Sequence, residues 1–202
     1  MKIDSVKVYD LEESIMASGL PMVAEYDEDN FGENKYVLHC DRLAGEIRKN
    51  PHFKRMAKLA DTPIGSGHAN ALSGILVSMN IAATVKWWEQ FQRYHFKQIV
   101  SSMSTMHRLR KMVIDGTIQF NPLTNPDMVK AFIRLAKDET VTDEELAYAC
   151  PMGLELTARI TTNYLQLKTI YNQRRNHKLN EWRQFCAWIE SLPYAKELIC
   201  NQ

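Results

Sequence analysis

Apolar and polar positions alternate in only two stretches of this chain. In residues 2–9 the apolar Ile3, Val6 and Val8 stand among polar neighbours, which is typical of a strand with one buried face. Residues 74–81 alternate in a similar way and predict a second strand. Most other apolar residues recur at the spacing of an amphipathic helix. The pattern therefore predicts a few strands among many helices.

Helical spacing and helix-breaking residues divide the rest of the sequence. Thr142-x-x-Glu145 is a capping box and Asn125-Pro126 suits a helix start, so we expect a helix just after each. Pro51 is interpreted as the end of the helix before it. The predicted helices span 11–17, 36–49, 83–100, 127–137, 143–149, 153–178 and 179–191. The predicted loops and irregular stretches span 24–35, 61–67, 101–111 and 116–127.

Length and composition are those of one globular domain. The chain has 202 residues, 45% of them hydrophobic, and no repeat or low-complexity segment is visible. We therefore expect a single helix-rich α+β domain over residues 1–202. The net charge of +1 gives no overall attraction to nucleic acid or to an anionic membrane. The N-terminal MKIDSVKVYD lacks a signal-type apolar stretch, and no run has the length of a membrane span, so we expect a cytoplasmic protein.

The cysteines and histidines follow no familiar metal-binding or catalytic pattern. Cys40, Cys150, Cys186 and Cys200 form no C-x-x-C pair, and we interpret them as reduced, buried small hydrophobic residues. The six histidines show no H-E-x-x-H arrangement, so no metal site is expected. The sequence also lacks G-x-S-x-G, GxGxxG and P-loop patterns, which disfavours conventional hydrolases, Rossmann enzymes and P-loop enzymes.

The first candidate cluster is Gln90-x-x-Arg93-x-His95. A helix here would place Gln90, Arg93 and Tyr94 on one face. The Gln90 amide can donate and accept toward a base or flavin edge, and the Arg93 guanidinium suits a phosphate. The alternative is an ordinary solvated helix face.

The second candidate cluster is the segment 101–108, with the sequence SSMSTMHR. Its hydroxyl groups, including those of Ser102 and Ser104, come just before His107 and Arg108. Hydroxyls, backbone N–H groups and a guanidinium together make a good anion-binding cradle. The alternative is a polar loop without a ligand.

A third candidate cluster lies near the C-terminal end. Asn163, Leu167, Ile170 and Arg174 advance in helical steps and would line one stripe of a helix. An arginine on a partly apolar stripe needs an anionic or acceptor partner, although a solvated face is the alternative. His68, which follows two glycines, is most simply explained as a structural residue.

Taken together, these elements resemble the flavin-dependent thymidylate synthases. Members of that family carry a histidine before a strand, then a helix ending in Q-x-x-R-H-R, and then a serine-rich loop ending in S-x-R-Y. The corresponding positions here are His68, the predicted strand, Gln90 to His95, and the segment 101–109. In the second half the family has a proline, an asparagine, an arginine and an A-Q-W-E-like segment. Similar positions here are Pro151, Asn163, Arg174 and the segment 179–182, so the resemblance spans most of residues 1–190.

The sequence departs from the family pattern at six positions. The second and third basic residues of Arg-His-Arg are Tyr94 and His95 here. The serine and tyrosine of S-x-R-Y correspond to Met106 and Leu109. Two arginines that in the family contact the nucleotide and the flavin are replaced by Ala147 and Leu165.

The resemblance implies a helix-rich fold with a small antiparallel sheet and a redox one-carbon reaction. It implies methylene transfer and reduction on dUMP, with methylenetetrahydrofolate, FAD and NADPH, in a homotetramer with sites between subunits. Arg174 would steady charge on the pyrimidine ring as the catalytic residue and bind the nucleotide. Gln90, Ser102, Ser104 and Arg108 would also bind the nucleotide. His68, Arg93, His95 and Asn163 would face the flavin or folate.

Three alternatives stay open at this point. The chain could hydroxymethylate the same base, with water completing the reaction, or it could bind nucleotides without catalysis. From the residues alone, a helical nucleic-acid-binding module would use Trp87, Trp88 and the basic side chains of Arg93, His107, Arg108, Arg110 and Lys111. Aromatic residues in 83–99 and 153–171 also predict more aromatic surface than one small domain buries, which favours self-association.

Overall fold

The computed structural model describes residues 1–63 and 65–201 and contains a four-stranded antiparallel sheet. Its strands are β1 (Lys2–Tyr9), β2 (Leu76–Thr84), β3 (Lys97–Ser102) and β4 (Glu155–Asn163), in the spatial order β1-β2-β4-β3. Helices make up 52% of the chain. The predicted helix-rich α+β class is therefore confirmed, and so are the predicted strands at 2–9 and 74–81, apart from small shifts at their ends.

Ten α-helices accompany the sheet in the described residues. They are α1 (Leu11–Ala17), α2 (Glu28–Leu43), α3 (Pro51–Ala60), α4 (Val85–Phe91), α5 (Thr105–Ile114), α6 (Pro126–Lys137), α7 (Asp143–Tyr148), α8 (Tyr164–Arg174), α9 (Asn180–Glu190) and α10 (Ala195–Leu198). Short 3-10 turns occupy Leu20–Met22, Ile47–Lys49 and Asn70–Gly74. None of the helices in the described part of the chain is long and apolar enough to cross a membrane.

The chain divides into two compact units. The first unit is Met1–Ser5 with Met79–Ile160, and the second unit is Val6–Ser78 with Thr161–Gln202. The expectation of a single domain over 1–202 stays a prediction.

Two strands were not predicted, because polar residues hide their alternation. The predicted helix 153–178 is wrong over 155–163, where β4 buries Ala158, Ile160 and Thr162 on one face. The β-branched Ile160 and Thr162 favour a strand. The predicted helix 83–100 is wrong over 97–100, because α4 ends at Phe91 and the chain continues as β3.

Side-chain caps explain three helix boundaries that differ from the predicted ones. Asp27 accepts from Asn30 N, so α2 begins inside the predicted loop 24–35. Asn50 accepts from His52 N and Pro51 occupies the first turn of α3, so this proline starts a helix instead of ending one. The predicted irregular stretch 101–111 contains most of α5, which begins after the cap Ser104.

Two cap-based predictions are confirmed. Thr142 and Glu145 form both hydrogen bonds of a capping box at the start of α7. Asn125 accepts from Asp127 N and Met128 N, and Pro126 opens α6. Where the capping residue and the next turn both match a known signature, sequence reading locates the helix start.

The aromatic side chains that were expected to exceed the capacity of one domain are mostly buried within the chain. Trp87 and Phe91 stack in the first unit with ring centroids 4.6 Å apart, and both are fully buried. Tyr164 in the second unit is also fully buried, and its hydroxyl donates to Pro193 O at 2.8 Å. The argument for self-association from aromatic excess is therefore wrong, and assembly stays a prediction from the resemblance.

The four cysteines are free but differ in exposure. Cys40 is exposed, which corrects its interpretation as a buried residue, while Cys150 and Cys200 are half-buried. Cys186 is buried in α9, and burial raises the pKa of its thiol to about 12. In the folded protein Cys186 therefore keeps its proton at pH values where an unfolded chain loses it.

This thiol predicts an alkaline loss of stability. Above about pH 8.5 the unfolded state binds fewer protons at Cys186 than the folded state, so the free energy of unfolding falls as pH rises. One such group contributes at most about 1.4 kcal/mol per pH unit. Urea unfolding of wild type and Cys186→Ala between pH 8 and about 10.5 should give a shallower decline for the variant. Cys40→Ala removes an exposed thiol and is the control; a decline of equal slope in all three proteins would contradict the argument.

Candidate functional site

The first unit contains a cavity of about 430 Å³ beside β3 and β4. Helix α4 contributes Trp88, Glu89 and Gln92, while Ser102 comes from the end of β3 and Thr157 from β4. Apolar side chains complete the lining, among them Ile99, Met103 and Leu156. A cavity of this size, with mostly apolar walls and a few polar groups, is typical of small-molecule sites.

Hydrogen bonds fix the start of α4 against β4. Thr84 Oγ1 caps the helix by accepting from Trp87 N at 3.2 Å. Val85 N donates to Leu154 O at 2.9 Å, and the indole of Trp88 donates to Leu156 O at 3.0 Å. The helix face that carries Trp88 and Glu89 is therefore held in place by the neighbouring backbone.

The opposite side of the cavity is built where β3 passes into α5. Met103 N donates to Thr157 O at 3.0 Å, so the chain after Ser102 remains paired with β4. Ser104 then caps α5 by accepting from His107 N at 3.3 Å. The cavity lining thus includes the last residue of β3 and Thr105, the first residue of α5.

The two sides of the cavity differ in charge. Glu89 accepts a hydrogen bond from Lys86 Nζ at 2.8 Å, and this bond, aided by the charges of Lys86 and Arg93, lowers the pKa of Glu89. The α4 side therefore carries a carboxylate at neutral pH. The α5 side offers the free N–H groups and positive dipole end of a helix N-terminus. An anionic ligand group is favoured at the α5 side.

The structure places one predicted nucleotide-binding residue on the cavity wall, namely Ser102. Ser104 is engaged as the α5 cap, and Arg108 is exposed in the first half of α5. No carboxylate in the described ranges 1–63 and 65–201 lies within ion-pair distance of Arg108. Its guanidinium is therefore available to a ligand.

The predicted shared helical face of Gln90, Arg93 and Tyr94 is wrong, because α4 ends at Phe91. Gln90 is half-buried in the last turn, while Arg93 and His95 are exposed in the turn that follows. Tyr94 is buried, with its ring centroid 6.3 Å from that of Phe91. The segment therefore presents its two basic side chains to solvent and its tyrosine to the interior.

Sequence reasoning missed Glu89 and Gln92, which line the cavity. A signal for them exists, since Val85, Trp88, Glu89 and Gln92 follow the spacing of one helix face. The neighbouring face with Gln90 was preferred because its amide and the nearby Arg93 guanidinium suit a base edge and a phosphate.

The second unit holds the other predicted residues. Arg174 lies in the last turn of α8, half-buried, with its guanidinium carbon 4.8 Å from the centroid of the buried Trp182 ring. This is a cation–π contact. Burial, followed by the charge of Arg174, lowers the pKa of the neighbouring His177. Arg174 thus sits in a half-buried, partly apolar environment.

Asn163 and His68 have different settings. Asn163 ends β4 and caps α8, accepting from Gln166 N at 2.8 Å, so its predicted place on a helical stripe is wrong. Leu167 and Ile170 are fully buried on α8, so the stripe itself exists from Leu167 onward. His68 is exposed just before the 3-10 turn at Asn70–Gly74.

The proposed nucleic-acid surface lacks its stacking residues. Trp87 and Trp88 are buried, so neither ring lies on the outer surface where a nucleic-acid strand could stack on it. Arg110 is anchored to Asp143 at 3.0 Å and to backbone carbonyls that include Ala136 O at 2.8 Å. Among residues 1–63 and 65–201, no group of three or more His, Cys, Asp or Glu side chains is placed to hold a metal ion.

The α+β architecture, with its many helices and four-stranded antiparallel sheet, is that of the flavin-dependent thymidylate synthases. Two crystal structures of the enzyme ThyX from Helicobacter pylori, both complexed with FAD and dUMP, match this chain with a TM-score of 0.69 and 14% identity. The matches cover 100% of this chain and 99% and 98% of the ThyX chains. No protein-family model matches the sequence, and no curated protein matches it significantly. The comparison therefore establishes the fold, and the activity follows as a proposal.

Proposed function

We propose that this protein transfers a one-carbon unit from methylenetetrahydrofolate to C5 of dUMP, with FAD and NADPH as redox partners. The observation that carries the proposal is the full-length fold match to a chain complexed with FAD and dUMP. The product is thymidylate, or the hydroxymethylated nucleotide if water completes the reaction. We further propose a cytoplasmic homotetramer, since the resemblance implies sites between subunits.

The cavity of the first unit suits a pyrimidine nucleotide. Its apolar walls around Trp88 can hold a flat ring, and the Gln92 amide can both donate to and accept from the base edge. The phosphate belongs at the opposite side, where Ser102, Ser104 and the α5 N-terminus offer donors and Arg108 offers charge. The Glu89 carboxylate disfavours the reverse orientation, because it would repel the phosphate.

The side chains assigned to the flavin carry hydrogen-bond donors, which is the type of group that flavin oxygen and nitrogen atoms can bind. Arg93 and His95 are exposed, and Asn163 uses its amide oxygen as a cap, which leaves its NH₂ group to donate. Reduced FAD, when bound, supplies the hydride that completes the methyl group. His68 is also exposed and can face the flavin or folate. These side chains would bind and orient the cofactor.

Arg174 is the proposed catalytic residue. Addition at C5 builds negative charge on the pyrimidine ring, and a guanidinium placed at the ring carbonyl stabilises that charge most in the transition state. Its contact with Trp182 limits the conformational freedom of the guanidinium. The lack of an activated protein nucleophile in the sequence agrees with this chemistry.

A second candidate function is nucleotide binding without catalysis. It is favoured by Tyr94, which occupies the second basic position of the family motif and is buried, so its side chain cannot bind a flavin from solvent. Leu165 likewise gives no charge at a position where the family contacts the flavin. Such a protein would retain the nucleotide cavity and lose the cofactor.

Visible absorbance distinguishes the two candidates. We expect the purified protein, mixed with FAD and freed of excess cofactor, to be yellow and to bind dUMP by calorimetry. A colourless protein that still binds dUMP would contradict the enzymatic proposal and support the binding protein. Absence of both flavin and dUMP binding would remove both candidates.

A further inference from the structure

The second unit contains a separate small cavity among α1, α2 and α3. Its volume is about 120 Å³, and its lining includes Gly19, Leu20, Tyr26, Phe31, His52 and Arg55. None of these residues takes part in the proposed reaction. A basic side chain therefore meets aromatic and aliphatic ones in one pocket.

Arg55 has donor capacity that the protein does not use. Its Nε donates to Ser18 Oγ at 3.3 Å, and Nη2 lies 3.4 Å from Ile15 O and 3.5 Å from Met16 O, all of them long contacts. Nη1 has no hydrogen-bond partner among residues 1–63 and 65–201. No carboxylate in the same described ranges lies within ion-pair distance of Arg55, although the guanidinium is half-buried. A partly buried, uncompensated cation favours an anionic partner.

Gly19 leaves the space that this guanidinium occupies. A Cβ at Gly19 would lie 2.5 Å from Arg55 Nη2 and 3.0 Å from Nη1. The backbone of Gly19 has φ −95°, which any residue can adopt, so the glycine is needed for space and not for backbone conformation. The close approach of Gly19 and Arg55 is therefore a specific feature of this pocket.

His52 adds a neutral donor to the cavity. Arg55 Nη2 can only donate, so His52 Nδ1, at 3.1 Å, must be the acceptor in that pair. The proton then lies on Nε2, which faces Asn34 Oδ1 at the long distance of 3.4 Å. Burial, followed by the charge of Arg55, lowers the pKa of His52 and keeps it neutral. The net positive charge of the group is that of Arg55.

The remaining lining indicates what else the ligand carries. Tyr26 and Phe31 have ring centroids 5.8 Å apart, and Leu20 and Val23 add aliphatic surface. Glu25 and Asp27 also line the cavity, and Asp27 is engaged as the α2 cap at 3.1 Å from Asn30 N. These two carboxylates oppose a multiply charged anion such as phosphate. Among anions, a singly charged carboxylate is repelled least by Glu25 and Asp27 while it can still pair with Arg55, and an apolar body fits the walls.

We propose that this cavity is a binding site for a small carboxylate attached to an apolar or aromatic body. The carboxylate accepts hydrogen bonds from Arg55 Nη1, and the body packs against Tyr26, Phe31 and Leu20. The competing explanation is that Arg55 serves only as a cap for the last carbonyls of α1, and the test separates the two.

Benzoate is the probe, and benzamide, which has the same shape without the charge, is the matched ligand control. Ligand-observed NMR should show saturable binding of benzoate and at least tenfold weaker binding of benzamide. Arg55→Met should weaken benzoate binding at least about tenfold. Gly19→Ala retains the arginine but places a methyl group where its guanidinium lies, so it should displace the guanidinium and weaken benzoate binding. Lys54→Ala removes an exposed charge from the same helix and should bind benzoate as wild type does.

Thermal unfolding of each variant establishes that it is folded before binding is compared. Phenylalanine and phosphate are two further probes. Phenylalanine is a zwitterion, so its binding tests the effect of the acidic residues Glu25 and Asp27. Phosphate tests whether the site prefers a single negative charge. No benzoate binding to the wild-type protein would overturn the proposal. Equal binding of benzoate and benzamide, or unchanged benzoate binding in folded Arg55→Met and Gly19→Ala, would assign Arg55 to helix capping alone.

Discussion

Arg174→Lys should lower the turnover of dUMP about 10- to 100-fold, or about 1.4–2.7 kcal/mol in transition-state stabilisation. The affinity for dUMP should change by no more than about threefold. Lysine keeps the positive charge but loses the planar guanidinium that lies 4.8 Å from the Trp182 ring centroid. The difference between the two effects identifies an interaction that strengthens in the transition state.

The matched control is Arg175→Lys, in the next position of the chain. Arg175 is exposed and has its guanidinium 5.8 Å from the Tyr171 ring centroid. We expect this variant to retain wild-type turnover. Full turnover in Arg174→Lys would remove Arg174 from the reaction, and equal losses in both variants would point to a general disturbance of α8.

Arg108→Ala should weaken dUMP binding about 10- to 100-fold. A charge-assisted contact to phosphate contributes about 1.5–3 kcal/mol, and Arg108 has no ion-pair partner within the described ranges that would compete for it. Its exposed position on α5 means that the substitution removes few packing contacts. Calorimetry with dUMP measures the loss, and deoxyuridine, which lacks the phosphate, should bind wild type and variant equally.

Lys111→Ala is the control for Arg108→Ala. Lys111 is exposed on the same helix and carries the same charge, so its loss tests whether general electrostatic attraction accounts for binding. Unchanged dUMP affinity in Arg108→Ala would reject the phosphate assignment. Similar losses of dUMP affinity in both variants would indicate that a diffuse positive field attracts the phosphate, and not a specific contact with Arg108.

The accuracy of the sequence predictions follows the strength of local signals. The α7 start was predicted correctly because Thr142 and Glu145 satisfy each other within one turn. The start of α5 was missed because Ser104 looked like part of a hydroxyl-rich loop, and its cap bond is visible only in three dimensions. β4 was missed because polar residues hide its alternation, and because the pairing that stabilises it involves strands distant in sequence.

In the candidate site, too, the residues with a local sequence signal were predicted and those that depend on tertiary contacts were not. The hydroxyl-rich segment 101–108 indicated Ser102, and the helical spacing of Leu167, Ile170 and Arg174 indicated a partly apolar setting for Arg174. Glu89 and Gln92 emerged only from the placement of α4 against β4. The fully buried Lys168 was also unforeseen, since its Nζ bonds to Ala60 O and Asn201 Oδ1, each at 2.6 Å, depend on residues far away in the chain. Periodicity identifies faces of helices, but tertiary contacts decide which polar side chains those faces bury.

The identity of the nucleotide product tests the central claim most directly. The protein would be incubated with dUMP, methylenetetrahydrofolate, FAD and NADPH, and the nucleotide recovered for mass spectrometry. We predict a product with one added carbon at C5, either thymidylate or the hydroxymethylated nucleotide, formed only when folate and flavin are both present. Recovery of unmodified dUMP from a folded protein that binds both FAD and dUMP would contradict the proposed one-carbon transfer.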